Sequence, residues 1–302
     1  MEWTDNKKTI IIHPPKEFSF EECLVFLGRS NQEMTHQIKD GYLYKLMKLN
    51  GKRILLKISG QSREITIDFP LGPLLKNERM LIAKYVWDWF DLERDLCSFY
   101  DIAYQDEILR PIVQKYDGLR MIGISNLFEA LTWAIIGQQI NLPFAYALKK
   151  RFIEQFGEPL EFEGQTFWLY PTPEKIAALS VEDLRNLQFS VRKAEYVIEV
   201  ASKVANGTLT KVDLLQNEND DEIKKTLMNI RGIGEWTAHY VMMKCLHSSS
   251  AFPITDVGLH NALKQALGLH RKPSLPEIKG MSKKWDGWEA YATIYLWRSL
   301  YD

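Results

Sequence analysis

Residues Lys224 to Leu267 read KKTLMNIRGIGEWTAHYVMMKCLHSSSAFPITDVGLHNALKQAL. Leu227, Met228 and Ile230 give a short helix an apolar side, and that helix runs into Gly232-Ile233-Gly234. Trp236, Tyr240, Met243 and Leu246 then recur near helical spacing, which predicts a second helix at once. Two glycines one residue apart make a tight turn whose backbone N–H groups point outward at a helix start, where the dipole favours anions. The turn is too short for a Walker loop and lacks the Lys-Ser/Thr that should follow. A dinucleotide fingerprint would need a strand before it, and a helix stands there instead. Helix, hairpin, helix remains. Asp256 follows after a loop containing Ser and Pro253, at the head of another helix.

Working outward, the N-terminal third reads as mixed α and β. Thr9–His13 is a short strand stopped by Pro14-Pro15, and Phe20–Leu27 is an apolar helix. Gly41–Leu49 and Arg53–Ser59 flank Asn50-Gly51, the strongest short hairpin signal. Glu64–Phe69 alternates as a further strand, and an amphipathic helix is expected from Asn77 to Phe90. From Asp106 onward helical patterns follow one another with no clear strand. Helices are expected over Phe128–Ile136, Leu142–Phe156 (closed by Gly157), Pro171–Leu187, Val191–Val204 (ended by Gly207) and Trp288–Leu300. Asn217–Glu222 reads as an exposed acidic loop and helix start. Pro273–Lys284 reads as a loop of poor periodicity. The fold class is therefore α+β: a small antiparallel sheet domain at 1–105, then a mostly helical region at 106–302.

Composition sets bounds on function. The 38 basic and 39 acidic residues give a net charge of −1, which excludes only a uniformly basic surface. Lys264, Arg271, Lys272, Lys279, Lys283, Lys284 and Arg298 outnumber Glu277, Asp286 and Glu289 late in the chain, where they would form a local basic face or a solvated one. Cys23, Cys97 and Cys245 are far apart and form no CxxC pair, so no zinc ribbon or four-cysteine iron–sulfur cluster is expected. His239, His247, His260 and His270 include no HExxH, so no metal catalysis is expected. The N-terminus has no apolar run suited to a signal peptide or membrane helix, and a cytoplasmic monomer is the simplest expectation.

Ile230-x-Gly232-Ile233-Gly234-x-x-Thr237-Ala238, followed by a Pro-containing loop and Asp256, resembles the helix-hairpin-helix DNA glycosylase superfamily. Within it the chain is most similar to the inducible bacterial 3-methyladenine DNA glycosylase II family, over nearly its whole length. The resemblance implies excision of alkylated bases such as 3-methyladenine and 7-methylguanine from double-stranded DNA by base flipping. It implies that Arg231, Gly232, Ile233, Gly234 and Thr237 form a hairpin that holds DNA phosphates without reading sequence. It also implies a monovalent cation on hairpin carbonyls and no other cofactor. In relatives with lyase activity the position of Trp236 holds an attacking lysine. Trp has no nucleophile, and Lys244, two turns on, reads as solvated, so a monofunctional enzyme is expected.

The resemblance also makes Trp236, Tyr240 and Trp297 an aromatic pocket for the flipped base. Aromatic faces attract cations by roughly 0.5–2 kcal/mol each, so such a cage would select methylated, cationic purines by charge as well as shape. The plain alternative is that aromatic residues at helical spacing are core. Arg298 stands where a relative has another aromatic. Gln138 and Gln139 fall where the family inserts a wedge into the gap left by the extruded base, or else they are a polar helix end. Asp256 matches the catalytic carboxylate; alternatively it is a helix N-cap, a role Thr255 could also fill. Two other functions remain open on the sequence: a superfamily glycosylase for oxidised or mismatched bases, and a non-enzymatic DNA-binding module.

Overall fold

The computed structural model describes every residue of the chain except Ser62, Glu218 and Asp302. Strands β1 (Trp3–Asp5) and β2 (Thr9–Ile12) are followed by helix α1 (Phe20–Leu27), then strands β3 (Gln37–Lys39), β4 (Tyr42–Leu49), β5 (Lys52–Gln61) and β6 (Glu64–Asp68). They form one antiparallel sheet in the order β1-β2-β6-β5-β4-β3. Asn50 and Gly51 take φ of 51° and 78°, the turn geometry that matches strand twist, and pair Leu49 with Lys52. The expected strands are present. The three-residue β1 and β3 are too short to leave a period in the sequence.

Ile54, Leu56 and Ile58 of β5 join the main core, which continues without a break from the sheet into the helices. Helices α2 (Lys76–Trp89), α3 (Cys97–Gln105) and α4 (Leu109–Lys115) lead into α5 (Leu127–Gly137) and α6 (Leu142–Phe156).

The expectation of no strand past residue 106 is overturned. Strands β7 (Glu158–Phe162) and β8 (Gln165–Leu169) form a hairpin. Phe167 and Leu169 of β8 pack with Leu46 and Leu55 in a small second cluster on the outer face of the sheet, and Gln37 Nε2 donates to the Thr166 carbonyl at 2.7 Å. The Glu-Pro-Leu-Glu-Phe pattern is short and contains Pro159, which weakens any strand signal. The larger sheet supplies the surface that stabilises it.

Pro171–Leu187 is also not one helix. It divides into α7 (Pro173–Ala177) and α8 (Val181–Arg185), because Ser180 and Asp183 form a capping box that restarts the helix. Next come α9 (Val191–Ala205), α10 (Lys211–Gln216) and α11 (Asp220–Met228). Asp220, Asp221 and Glu222 sit in the first turn of α11, as the acidic reading requires; Glu218 of that acidic stretch lies outside the described residues. Helices α12 (Glu235–Leu246) and α13 (Val257–Ala266) follow the two-glycine turn. Pro273–Lys284, expected to be a loop, contains α14 (Leu275–Ser282), started by Ser274 and Glu277. Only Ile278 of this helix is buried, so no apolar stripe announces it. Helix α15 (Glu289–Arg298) closes the fold. Among the described residues no helix is long and apolar enough to cross a membrane.

Candidate active site

Helices α11 and α12 meet at the turn, where Ile230 and Ile233 are buried and anchor it to the core. Gly232 has φ +89°, and a Cβ there would lie 2.3 Å from the Tyr196 ring, so no other residue fits. The Ile233 N–H returns to the Ile230 carbonyl at 3.0 Å. Gly234 is the N-cap of α12 and has no side chain to satisfy the first turn. The N–H groups of Gly234, Glu235 and Trp236 consequently have no acceptor among the described hydrogen bonds. Arg231 leans over Tyr196, 5.4 Å from the ring centre, and pairs with Glu195 at 2.5 Å.

Thr237 departs from its expected place on the phosphate surface. It is 2% exposed, and its hydroxyl accepts from Gln138 Nε2 at 2.9 Å. The same Gln138 amide donates to the Gly232 carbonyl, also at 2.9 Å. Gln138 is thus turned inward and braces the hairpin, where the sequence placed it with the wedge. Gln139 has φ +57° and is exposed, so of the two glutamines it is the one aimed outward. The carbonyls of Arg231 and Ile233 have no partner among the described hydrogen bonds, so backbone oxygens suited to a monovalent cation are present at the turn. Gly232 would not supply one, because Gln138 holds its carbonyl.

On α12, Trp236 and Tyr240 stack with ring centres 5.5 Å apart and planes at 29°. Tyr240 and Trp297 of α15 are 6.2 Å apart at 35°. The Tyr240 hydroxyl accepts from Trp133 Nε1 at 2.9 Å, and burial pushes its phenol well above the usual range, so it is neutral. These rings line a cleft of about 1320 Å³ together with the hairpin, Gln138, Gln139 and Asp256.

Asp256 fills the capping role, and the same carboxylate also faces two tryptophans of the cleft. It is the N-cap of α13, with Oδ1 accepting from the Leu259 N–H at 2.8 Å. Oδ1 also accepts from Trp297 Nε1 at 2.8 Å, and Oδ2 accepts from Trp236 Nε1 at 2.9 Å. Two tryptophans from separate helices hold the carboxylate at the cleft wall, and Gly258 leaves the room: a Cβ there would lie 2.9 Å from Asp256 Oδ1 and 3.1 Å from Trp297 Nε1.

One expectation about a neighbouring charge is corrected, and the position of Arg298 is fixed. Lys244 is not solvated. It is 3% exposed, its ammonium donates to the Ile122 carbonyl, and burial pushes its pKa down to about 7. Arg298 points away from the rings, pairing with Glu22 at 2.8 Å and lying 4.2 Å from the centre of the Tyr116 ring. It does not replace a wall of the pocket.

Cleft residues that escaped the sequence reading include Arg29, Trp133, Arg192 and Lys193. Arg192 and Lys193 open α9 beside the hairpin, and Ser190 caps that helix. No local pattern marks Arg29, which follows α1 in the sheet domain. Its positive charge in the cleft opposes a purely aromatic selection of cationic bases.

The chain is similar to known proteins. Residues 132–286 match the family model described as HhH-GPD superfamily base excision DNA repair protein, and residues 10–131 match the 8-oxoguanine DNA glycosylase N-terminal domain. A DNA-3-methyladenine glycosylase of Bacillus subtilis is 40% identical over 304 residues, covering 100% of both chains. The structure of a 3-methyladenine DNA-glycosylase from Archaeoglobus fulgidus is similar with a TM-score of 0.81 at 23% identity, over 95% of this chain and 97% of that one. An 8-oxoguanine glycosylase/lyase of Clostridium acetobutylicum, in complex with double-stranded DNA containing cytosine opposite 8-oxoG, gives 0.78 at 20% identity, over 99% and 97%. At these identities the two structures speak to the fold alone.

Proposed function

This chain belongs to the HhH-GPD superfamily of base excision DNA repair proteins and is a DNA glycosylase, and we propose that it is a monofunctional one that removes alkylated bases from duplex DNA. The observation that carries this reading is the Asp256 carboxylate, held by Trp236 and Trp297 at the wall of an aromatic cleft. We take residues 1–105 as the sheet domain and 106–302 as the helical glycosylase region. Arg231, Gly232, Ile233 and Gly234 would grip phosphates through the unpaired N–H groups at the head of α12. The damaged nucleotide would be flipped into the cleft and stack on the ring of Trp236, Tyr240 or Trp297, while Gln139 fills the gap in the duplex.

The C1′–N bond then breaks with its electron pair leaving on the base, and the sugar passes through an oxocarbenium-like state. Asp256 stabilises that developing positive charge and orients a water that adds to C1′. A cationic methylated base leaves without prior protonation, so no strong general acid is required. The products are a free base and an abasic site. Both cleft lysines are engaged elsewhere, Lys244 with the Ile122 carbonyl and Lys193 with the Ile136 carbonyl, and Trp236 holds the carboxylate.

Chromatography of bases released from methylated DNA tests this reading. Free 3-methyladenine and 7-methylguanine are expected, with strand breaks only after alkali and no adduct trapped by borohydride. A borohydride-trapped adduct would remove the monofunctional assignment. Release of 8-oxoguanine alone would favour a second reading, excision of oxidised bases, which the match of residues 10–131 supports.

A further inference from the structure

We propose that Arg29, supplied by the sheet domain, is a base-reading residue: its guanidinium donates to the acceptor edge of the flipped base and tilts the pocket toward neutral purines with adjacent acceptors, away from cationic ones. The proposal deepens the reading above and rests on it for the use of the cleft as a base pocket.

Arg29 follows Gly28, the C-cap of α1, and borders the cleft that also holds Trp236, Tyr240, Asp256 and Trp297. The backbone is fixed by α1, whose Phe26 and Leu27 are buried in the core. The side chain is fixed as well. Its NH1 donates to the Phe26 carbonyl at 2.7 Å, and the guanidinium lies 4.5 Å from the centre of the Phe26 ring and 5.9 Å from that of Tyr146.

That one hydrogen bond uses one of five N–H groups. Among the described residues no carboxylate lies within ion-pair distance of Arg29, unlike Lys149, Arg79 and Arg298, which are all buried and all paired. Nor are its spare nitrogens sealed in protein: none is among the buried polar atoms that lack a partner. Arg29 borders both the base cleft and a neighbouring cavity of about 550 Å³. Among the described residues Arg120 also lacks a carboxylate partner, but its unpartnered nitrogens are enclosed in the core; Arg29 is held rigid beside the cleft with donors unspent.

A guanidinium suits the O6 and N7 acceptors of a purine, which it can meet with two parallel hydrogen bonds. Hypoxanthine presents both acceptors and is neutral; it departs from C1′ as an anion whose charge on the O6/N7 edge the guanidinium offsets, and it takes its proton from solvent after departure. In 7-methylguanine within DNA, N7 carries the methyl group and the base carries a positive charge, so one acceptor is gone and like charges face each other. Such cationic bases depart easily once flipped, so Arg29 reduces their advantage without excluding them.

The test compares single-turnover release of hypoxanthine and of 7-methylguanine by the full chain, Arg29→Met and Arg29→Lys, with melting and duplex affinity measured alongside. Met keeps the length and the contact with Phe26 but has neither charge nor donors. Arg29→Met is expected to lower hypoxanthine release at least tenfold while 7-methylguanine release stays level or rises. Arg29→Lys keeps the charge without the paired donors, so hypoxanthine release should fall while 7-methylguanine stays disfavoured.

A second readout needs no turnover: calorimetric titration of free hypoxanthine into the protein bound to an abasic-site duplex, where Arg29→Met should lose binding. Equal loss of both bases, no change in their ratio, or equal hypoxanthine affinity in parent and Met variant would overturn the proposal. So would a parent protein that does not bind hypoxanthine. Failure to release any methylated base would instead sink the alkylated-base assignment and leave the binding comparison able to decide on Arg29.

Discussion

The indole N–H of Trp236 donates to Oδ2 of Asp256 across 2.9 Å, so a side chain with no nucleophile fixes the direction of the carboxylate at the cleft wall. Trp236 is therefore neither a simple core residue nor only a wall of the pocket. It links the hairpin helix to the head of α13.

The consequence for Asp256→Asn is specific. If the amide oxygen keeps the bonds from Leu259 and Trp297, the NH2 group must face Trp236 Nε1, and two donors then meet. Helix capping survives, since Asn and Asp cap about equally well, and duplex affinity should change little. Melting should fall modestly, by the order of 1 kcal/mol for one lost hydrogen bond. Base release should fall by about a hundredfold or more, the scale of one well-placed electrostatic group. Asp256→Ala should melt lower still, because it also removes the cap. A well-folded Asp256→Asn enzyme with full single-turnover activity would refute the mechanism.

The two hairpin glycines should separate. Gly232→Ala drives a Cβ into the Tyr196 ring at positive φ, so it should lower the melting temperature and binding to every duplex together. Around Gly234 nothing lies within 4 Å of a built Cβ, so Gly234→Val should fold normally. It should nevertheless crowd the N–H groups of the first turn, weaken binding to damaged and undamaged duplexes alike, and make the salt dependence shallower. Titrations at several salt concentrations check this; weakening confined to damaged DNA would contradict a phosphate grip.

The glutamines should separate as well. Gln139→Ala should leave melting unchanged and reduce extrusion of a fluorescent base analogue, with lower base release. Gln138→Ala removes two donated hydrogen bonds from the Gly232 carbonyl and Thr237, each worth about 1 kcal/mol. It should lower melting and general DNA affinity, with extrusion per bound molecule preserved. Identical behaviour of the two variants would return Gln139 to a plain helix end.

Acid should destabilise the protein in a defined window. Burial lowers His36 and His247 from the ordinary 6.5 to about 4 each, although Glu33 beside His36 and Asp91 beside His247 act in the other direction. Between pH 6.5 and 4 the unfolded chain binds protons that the folded chain refuses, so the contribution of these histidines to stability rises with pH across that window and is absent below it. Each histidine accounts for at most roughly 3 kcal/mol. Melting curves from pH 7 to 4 should therefore slope downward. His247→Asn, which tolerates the positive φ of 56° there, should flatten the slope. A slope unchanged in His247→Asn would assign the loss to other groups.

Much of the fold was legible because its determinants are local. Asn50-Gly51 sets a turn by its own backbone preference, and Trp236 and Tyr240 share a face because they are four residues apart on a helix. The hairpin needs Gly at 232 for its positive φ, a local requirement, although the Tyr196 ring against it adds a second one from a distant helix. The β7–β8 hairpin and α14 were not legible, because their stability comes from a sheet face and from caps rather than from an apolar period of their own.

By itself, then, the sequence determined the α+β class, the helix-hairpin-helix and the candidate carboxylate, each encoded within a short stretch of chain. Tertiary structure alone decided that Asp256 caps α13 while two tryptophans hold it at the cleft wall, that Gln138 turns inward while Gln139 turns outward, that Lys244 is buried, and that Arg29 reaches the cleft. Each of those outcomes depends on which distant residue packs alongside: Trp297 for Asp256, Gly232 for Gln138, Ile122 for Lys244. Hydrogen-bond partners across a core are set by packing between elements, and no periodicity along the chain records them.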